Sequence, residues 1–129
     1  MIDLLNRIDD EGTIDRVRLS SIEPLELSED IIDLVALSIR ICDHFHIPLQ
    51  SGDGRILKQM RRPYDRNQFK KLVLTIHQWI PDAAIGVDDL VGFPGETDAA
   101  FQNTYLLIED LPKTYLHVFP FSPRPGTPA

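Results

Sequence analysis

Apolar residues recur at helical spacing in some stretches and alternate singly in others, and the two kinds of stretch follow one another along the chain. Ile2, Leu4, Leu5 and Ile8 line one face of an opening helix that Gly12 stops, and Ile14 to Ser20 then alternates as a strand does. Ser28 caps a second helix, with Glu29 and Asp30 in its first turn and Ile31, Leu34, Val35 and Ile39 as its apolar stripe. His44 to Leu49 reads as a short strand, followed by a Gln50–Gly54 turn and a short helix to Met60. A longer helix starts at Asp65 or Asn67, runs through Phe69, Leu72, Val73, Ile76 and Trp79, and ends at Pro81. Ala83 to Val91 is the next strand. Thr97 or Asp98 caps a helix through Phe101, Tyr105, Ile108 and Leu111, and Thr114 to Phe121 is the last strand. The tail from Ser122 to Ala129 is proline-rich and irregular.

Strands that alternate with helices must pair in parallel through right-handed crossovers. The expected fold is therefore α/β, a partial TIM-like barrel of four parallel βα units forming one domain over residues 1–129. The opening helix has no strand before it to cross over from. That makes the chain the second part of a larger barrel, since so few strands cannot close one.

Composition narrows the setting. At 129 residues and 43% hydrophobic content, the chain has enough material for one core. No apolar run approaches the roughly 18 residues of a membrane span, and the N-terminus lacks the order of a signal peptide, so a cytoplasmic protein with no membrane partner is expected. The single cysteine, Cys42, excludes an internal disulfide and cannot alone hold an iron–sulfur cluster. A net charge of −7 repels nucleic-acid backbone except where cations gather, as they do between Lys58 and Arg66.

Candidate chemistry collects at the carboxyl ends of the strands, where α/β folds bind ligands. Those ends carry Ser20–Pro24, His46–Gly52, Leu90–Glu96 and His117–Ser122. Gln50 and Ser51 can hydrogen-bond sugar hydroxyls, glycine-opened backbone near Val91 and Gly92 can flank a flat base, and Arg62 can pair with a carboxylate. Asp88 and Asp89 alternate faces, so only one can point into a barrel. His44 and His46 share a face at a spacing known from two-histidine metal sites, but the pattern offers no third ligand, and no metal site is expected.

Five ordered blocks, Arg16–Pro24, His44–Gly52, Ile56–Arg62, Leu90–Thr97 and His117–Ala129, resemble the consecutive motifs of radical S-adenosylmethionine methylthiotransferases. Within that family, Ser20-Ser-Ile-Glu23 and His117-Val-Phe-Pro-Phe-Ser122 most resemble the branch that thiomethylates N6-threonylcarbamoyladenosine in tRNA. The resemblance implies a barrel of six βα units of which this chain matches the last four. It also implies S-adenosylmethionine as cofactor, with Gln50 and Ser51 at the ribose, Arg62 at the carboxylate, Val91 and Gly92 near adenine, and Ser21 as a further candidate. Members cleave the cofactor reductively to a 5′-deoxyadenosyl radical that abstracts hydrogen from the substrate before a methylated sulfur is inserted.

The family's cluster-ligating Cys-x-x-x-Cys-x-x-Cys is absent, as are an N-terminal cluster domain and a C-terminal RNA-binding barrel. The 4Fe-4S clusters and tRNA are thus expected of a longer parent protein, no catalytic residue is assigned here, and the chain alone is expected to be inactive. Asp53 stands where the family usually has serine, and Pro63 follows Arg62. The competing readings are a methylthiotransferase acting on a ribosomal protein, a non-radical barrel half that binds phosphate, and a binding module without catalysis. Open strand edges and a barrel-facing surface containing Leu19, Ile47, Val91 and Val118 are expected to favour self-association.

Overall fold

The computed structural model describes all 129 residues. In chain order the elements are α1 (Ile2–Glu11), α2 (Glu29–Leu37), β1 (His44–Gln50), α3 (Gly54–Gln59), α4 (Arg66–Trp79), β2 (Ala84–Val91), α5 (Asp98–Asp110) and β3 (Tyr115–Pro120). Local chemistry sets most of their ends. Ser28 accepts from the Ile31 amide at the start of α2, and Thr97 accepts from Ala100 at the start of α5. Asp65 and Gln68 form a reciprocal capping box on α4. Asp53 caps α3 by accepting from the Arg55 and Ile56 amides.

The three strands form one parallel sheet in the order β1-β2-β3. Alternation then sorts the side chains. Phe45, Ile47, Leu49, Ile85 and Val87 are almost wholly buried and join Ile32, Val35, Phe69, Val73, Ile76 and Leu107 in the core on the helix side. The opposite, concave side carries His44, His46, Asp88, Tyr115 and His117, whose rings and carboxylate touch one another across the strands.

Two expectations are corrected by this arrangement. The segment 14–20 is not a strand: it touches the sheet's β1 side only through isolated parallel bridges, Val17 to Ile41 and Ser21 to His46. Within it only Val17 bonds main chain to main chain, its amide donating to the Arg40 carbonyl and its carbonyl accepting from the Cys42 amide, too sparsely to form a ladder. Nor is the concave face apolar. Ile47 and Leu19 belong to the buried core, and Val91 and Val118 line a cavity against α5 on the helix side. The outer edge of β3 has no strand partner. No helix is long and apolar enough to cross a membrane.

Gly86 shows how tightly the concave layer is packed. A Cβ built there would lie 2.1 Å from the Tyr115 ring, which crosses directly over β2. Gly86→Ala is expected to destabilise the chain by about 1–3 kcal/mol in urea unfolding followed by circular dichroism. Combined with Tyr115→Ala, its cost should shrink; strictly additive costs would show that Tyr115 is not the obstacle.

Candidate functional site

Three layers stack along the concave face. At the amino end of β1, the Arg18 guanidinium lies against the His44 ring, with Nη2 2.9 Å from His44 Nε2, and the Tyr115 hydroxyl is 2.8 Å from the same nitrogen. Burial first, and then the Arg18 charge, lower the pKa of His44 below its ordinary value, so the ring stays neutral near pH 7. One layer up, His46 Nε2 is 2.7 Å and His117 Nδ1 3.4 Å from the same oxygen, Asp88 Oδ1. Tyr115 stands edge-on to His46, and Phe119 edge-on to His117. The third layer is the rim formed by the strand ends and the loops that follow.

The rim is tied together by polar contacts. The register slips between Pro48 and Gln50, and Gln50 takes a left-handed φ of 69°, a strained conformation for a residue with a Cβ. The Tyr64 hydroxyl, a donor to the carbonyls of both Pro48 and Leu49 at 3.0 and 2.9 Å, fixes this bulge from below. Burial pushes the Tyr64 pKa up to about 12, so it remains a donor throughout the neutral range. Across the rim, Gly92 has a φ of 75° and donates its amide to Glu96 Oε1 at 2.8 Å, while Arg55 of α3 donates to the Gly95 carbonyl at 2.7 Å. Nothing lies within 4 Å of the place a Gly92 Cβ would take, so a ligand can meet the backbone there.

The six residues singled out in the sequence divide accordingly. Gln50 and Gly92 sit at adjacent strand ends, and Arg62, which follows α3, has Nη1 3.3 Å from Glu23 Oε1. The Nε atom of Arg62 is buried without an acceptor. Ser51 does not present its hydroxyl to the rim: the residue is fully buried, its Oγ is 3.3 Å from Thr104 Oγ1, and it accepts from the Asp53 amide. Ser51 thus fastens the loop to α5, together with the buried Gly52, whose amide donates to Thr104 Oγ1. Val91 gives its carbonyl to the Phe121 amide and turns its side chain to the α5 side. Ser21 is exposed but lies lower, paired with His46.

Sequence pattern alone missed what neighbouring strands add. Asp88 and His117 join His46 on one layer, a group of three that does not include His44 and that the histidine spacing alone could not supply. The signal was available as parity: counting alternate residues back from the rim puts Asp88 and His117 on the face of His46. Asp89, by the same count, points the other way into the core.

A parallel sheet with helices on one face and a polar, glycine-opened rim at the strand ends defines an α/β barrel-type ligand-binding domain. The Radical SAM superfamily profile matches residues 1–108, and the chain belongs to that family. In fold it is similar to a radical S-adenosylmethionine methyltransferase, TsrM from Kitasatospora setae, whose structure was solved with a tryptophan substrate and the S-adenosylmethionine analogue aza-SAM bound. The two superpose with a TM-score of 0.69 at 18% identity over 90% of this chain, which spans only 22% of that protein. The family uses S-adenosylmethionine with a 4Fe-4S cluster. The residues present fit the first: Arg62 has an unused buried donor and Gly92 an open backbone. They do not fit the second, because the one thiol, Cys42, lies before β1 at the end of the sheet opposite the rim, with Arg16 Nη2 3.8 Å from its sulfur.

Asp89 is the other buried group without a full set of partners. It is 4% exposed, and its Oδ1 has no hydrogen bond. Burial, reinforced by repulsion from Glu96 and only partly opposed by the Leu90 amide, raises its pKa from 3.8 to about 6. The folded chain therefore holds a proton there that the unfolded chain releases near 3.8. Its contribution to stability is full below that value and is lost as pH rises through about 6. Asp89→Asn is expected to flatten this decline and to add roughly 1–3 kcal/mol at pH 7 in urea unfolding measured across pH 3.5–7.5. A variant with an unchanged pH profile would show that Asp89 ionises without cost in the fold.

Proposed function

We propose that this chain is the S-adenosylmethionine-holding part of a radical methylthiotransferase that adds a methylthio group to a modified adenosine of tRNA. The observations that carry the cofactor half are two left-handed backbone positions at adjacent strand ends, Gln50 and Gly92, and a half-buried Arg62 whose Nε lacks an acceptor. Arg62 is suited to the cofactor's carboxylate, since a guanidinium can bind it through two parallel donors once Glu23 yields. The amide side chain of Gln50 is suited to ribose hydroxyls, and the backbone at Val91–Gly92 to the edge of adenine. Ser51 supports them from behind through Thr104, and Ser21 flanks the floor of the site beside His46.

The substrate half rests on the five residue blocks from Arg16 to Ala129. A tRNA partner and the cluster ligands belong, on this reading, to a longer parent polypeptide in the cytoplasm. Reductive cleavage of the cofactor is chemistry supplied by that cluster. The residues of this chain orient the nucleoside and amino-acid ends and keep water from them.

Titration of the isotopically labelled chain with S-adenosylmethionine should move the amide resonances of Gln50, Ser51, Arg62 and Gly92 together. Arg62→Ala should weaken that response about tenfold or more, the loss expected for a charge-assisted hydrogen bond. Shifts confined to other surfaces, or an Arg62→Ala titration identical to the wild type, would remove the cofactor assignment. Substrate identity is read separately, by mass spectrometry of digested tRNA nucleosides after anaerobic reaction of the reconstituted parent. A modified ribosomal protein with unmodified tRNA would overturn the tRNA reading and leave the cofactor site intact.

A further inference from the structure

Below the rim, on the middle layer of the concave face, the geometry points to a second and separate site: His46, Asp88 and His117 form a binding site for a divalent transition-metal ion of the zinc or ferrous type. Three different strands deliver the three ligands, and their nearest N and O atoms all lie within 4.8 Å of one another. An ion with nitrogen and oxygen ligands at about 2.0–2.2 Å needs neighbouring donors roughly 3–3.5 Å apart. The 3.4 Å from His117 Nδ1 to Asp88 Oδ1 falls within that range, and the 2.7 Å from His46 Nε2 to the same oxygen lies a few tenths of an ångström below it. Small rotations of the imidazoles would seat the ion.

Charge agrees with this placement. The Asp88 side chain is only 16% exposed, and the two imidazoles are its only side-chain partners. A cation in contact with this carboxylate would be offset by its charge. Arg18 is not that cation, because it is engaged with His44 one layer below. The same guanidinium keeps a dication away from His44, which confines the site to the middle layer. Tyr115, edge-on to His46 and tilted against His117, limits how those rings can turn.

Two imidazoles and one carboxylate select zinc, iron, cobalt or nickel over the oxygen-seeking magnesium and calcium. His117 is half exposed, so coordination positions remain on the concave side for water or another small donor. The site shares no ligand with the rim residues proposed for S-adenosylmethionine, and the two assignments can fail independently.

The probe is cobalt(II), added to the chain prepared without a histidine tag and followed by its visible d–d absorption, with zinc as competitor and magnesium as control. One equivalent per chain should bind and be displaced by zinc but not by magnesium. Proton–nitrogen spectra with zinc should shift the ring nitrogens of His46 and His117 and leave those of His44 and His77 in place. Asp88→Asn, a near-isosteric change, should weaken binding about tenfold to a hundredfold, and His46→Ala should do the same, while His77→Ala on α4 binds like the wild type. Circular dichroism checks that each variant is folded. Absence of stoichiometric cobalt binding, zinc shifts at His44 or His77 instead, or undiminished binding by folded Asp88→Asn would each overturn the site, and the ring-nitrogen result decides the matter even if a variant fails to fold.

Discussion

Parallel pairing of β2 between β1 and β3 is the constraint from which the rest of the molecule follows. Once Ile47 is set against Val87 and Asp88 against His117, side-chain direction is fixed along every strand. Odd-numbered positions of β1 and β2 enter the helix layer, where Phe45, Ile47, Leu49, Ile85 and Val87 have essentially no accessible surface. Even-numbered positions, with Tyr115 and His117 of β3, face the concave side. Slipping one strand by a single residue would carry histidines and a carboxylate into the core and bring branched aliphatics out. The cost of burying those polar groups, several kcal/mol each when unpaired, is what holds the register.

That same division separates stability from function in space. The helix side contributes apolar burial, and the loops at the strand ends are then free to use polar contacts for positioning. Tyr64 reaches under the β1 bulge, Thr104 accepts the Gly52 amide at 2.8 Å, and Arg55 ties α3 to the loop after β2. Each tie runs from a rigid helix or its flank to a loop carrying a left-handed residue or an open amide. A left-handed non-glycine residue such as Gln50 costs of order 1–3 kcal/mol and persists only where its surroundings over-determine it. Here the bulge, the Tyr64 hydroxyl and the strand register do so together.

Periodicity and capping chemistry made most of the helices and strands legible from the sequence, with Ser28 as one cap and Asp65 and Thr97 each one of two candidates for theirs. These are local signals, written within a turn or two of chain. The segment before Leu19 was misread because alternation states only that a stretch can be a strand. Whether it becomes one depends on how much backbone a neighbour offers, and here only single bridges form. Ser51 was misplaced for a related reason. A hydroxyl next to Gln50 looks available for a ligand, yet it falls on the parity of Leu49 and is drawn inward to Thr104. The gathering of His46, Asp88 and His117 depends on register between distant strands, and a list of motifs taken one at a time cannot contain it. Family blocks located the rim, but the middle layer came only from geometry.

Asp88 and Asp89 bring the two sides of the sheet into direct comparison. They are neighbours in sequence with the same side chain, and alternation sends one to each face. Asp88 meets imidazoles that can carry a proton or share a metal ion, so its charge can be kept and used. Asp89 is buried on the α5 side in the field of Glu96, finds no partner for Oδ1, and moves toward neutrality through a pKa of about 6. Burial penalises the charge of Asp89, which has only the like-charged Glu96 acting on it, whereas Asp88 has two imidazole nitrogens beside its Oδ1. A buried carboxylate on this sheet therefore marks function where its neighbours can balance it, and marks a cost to stability where they cannot.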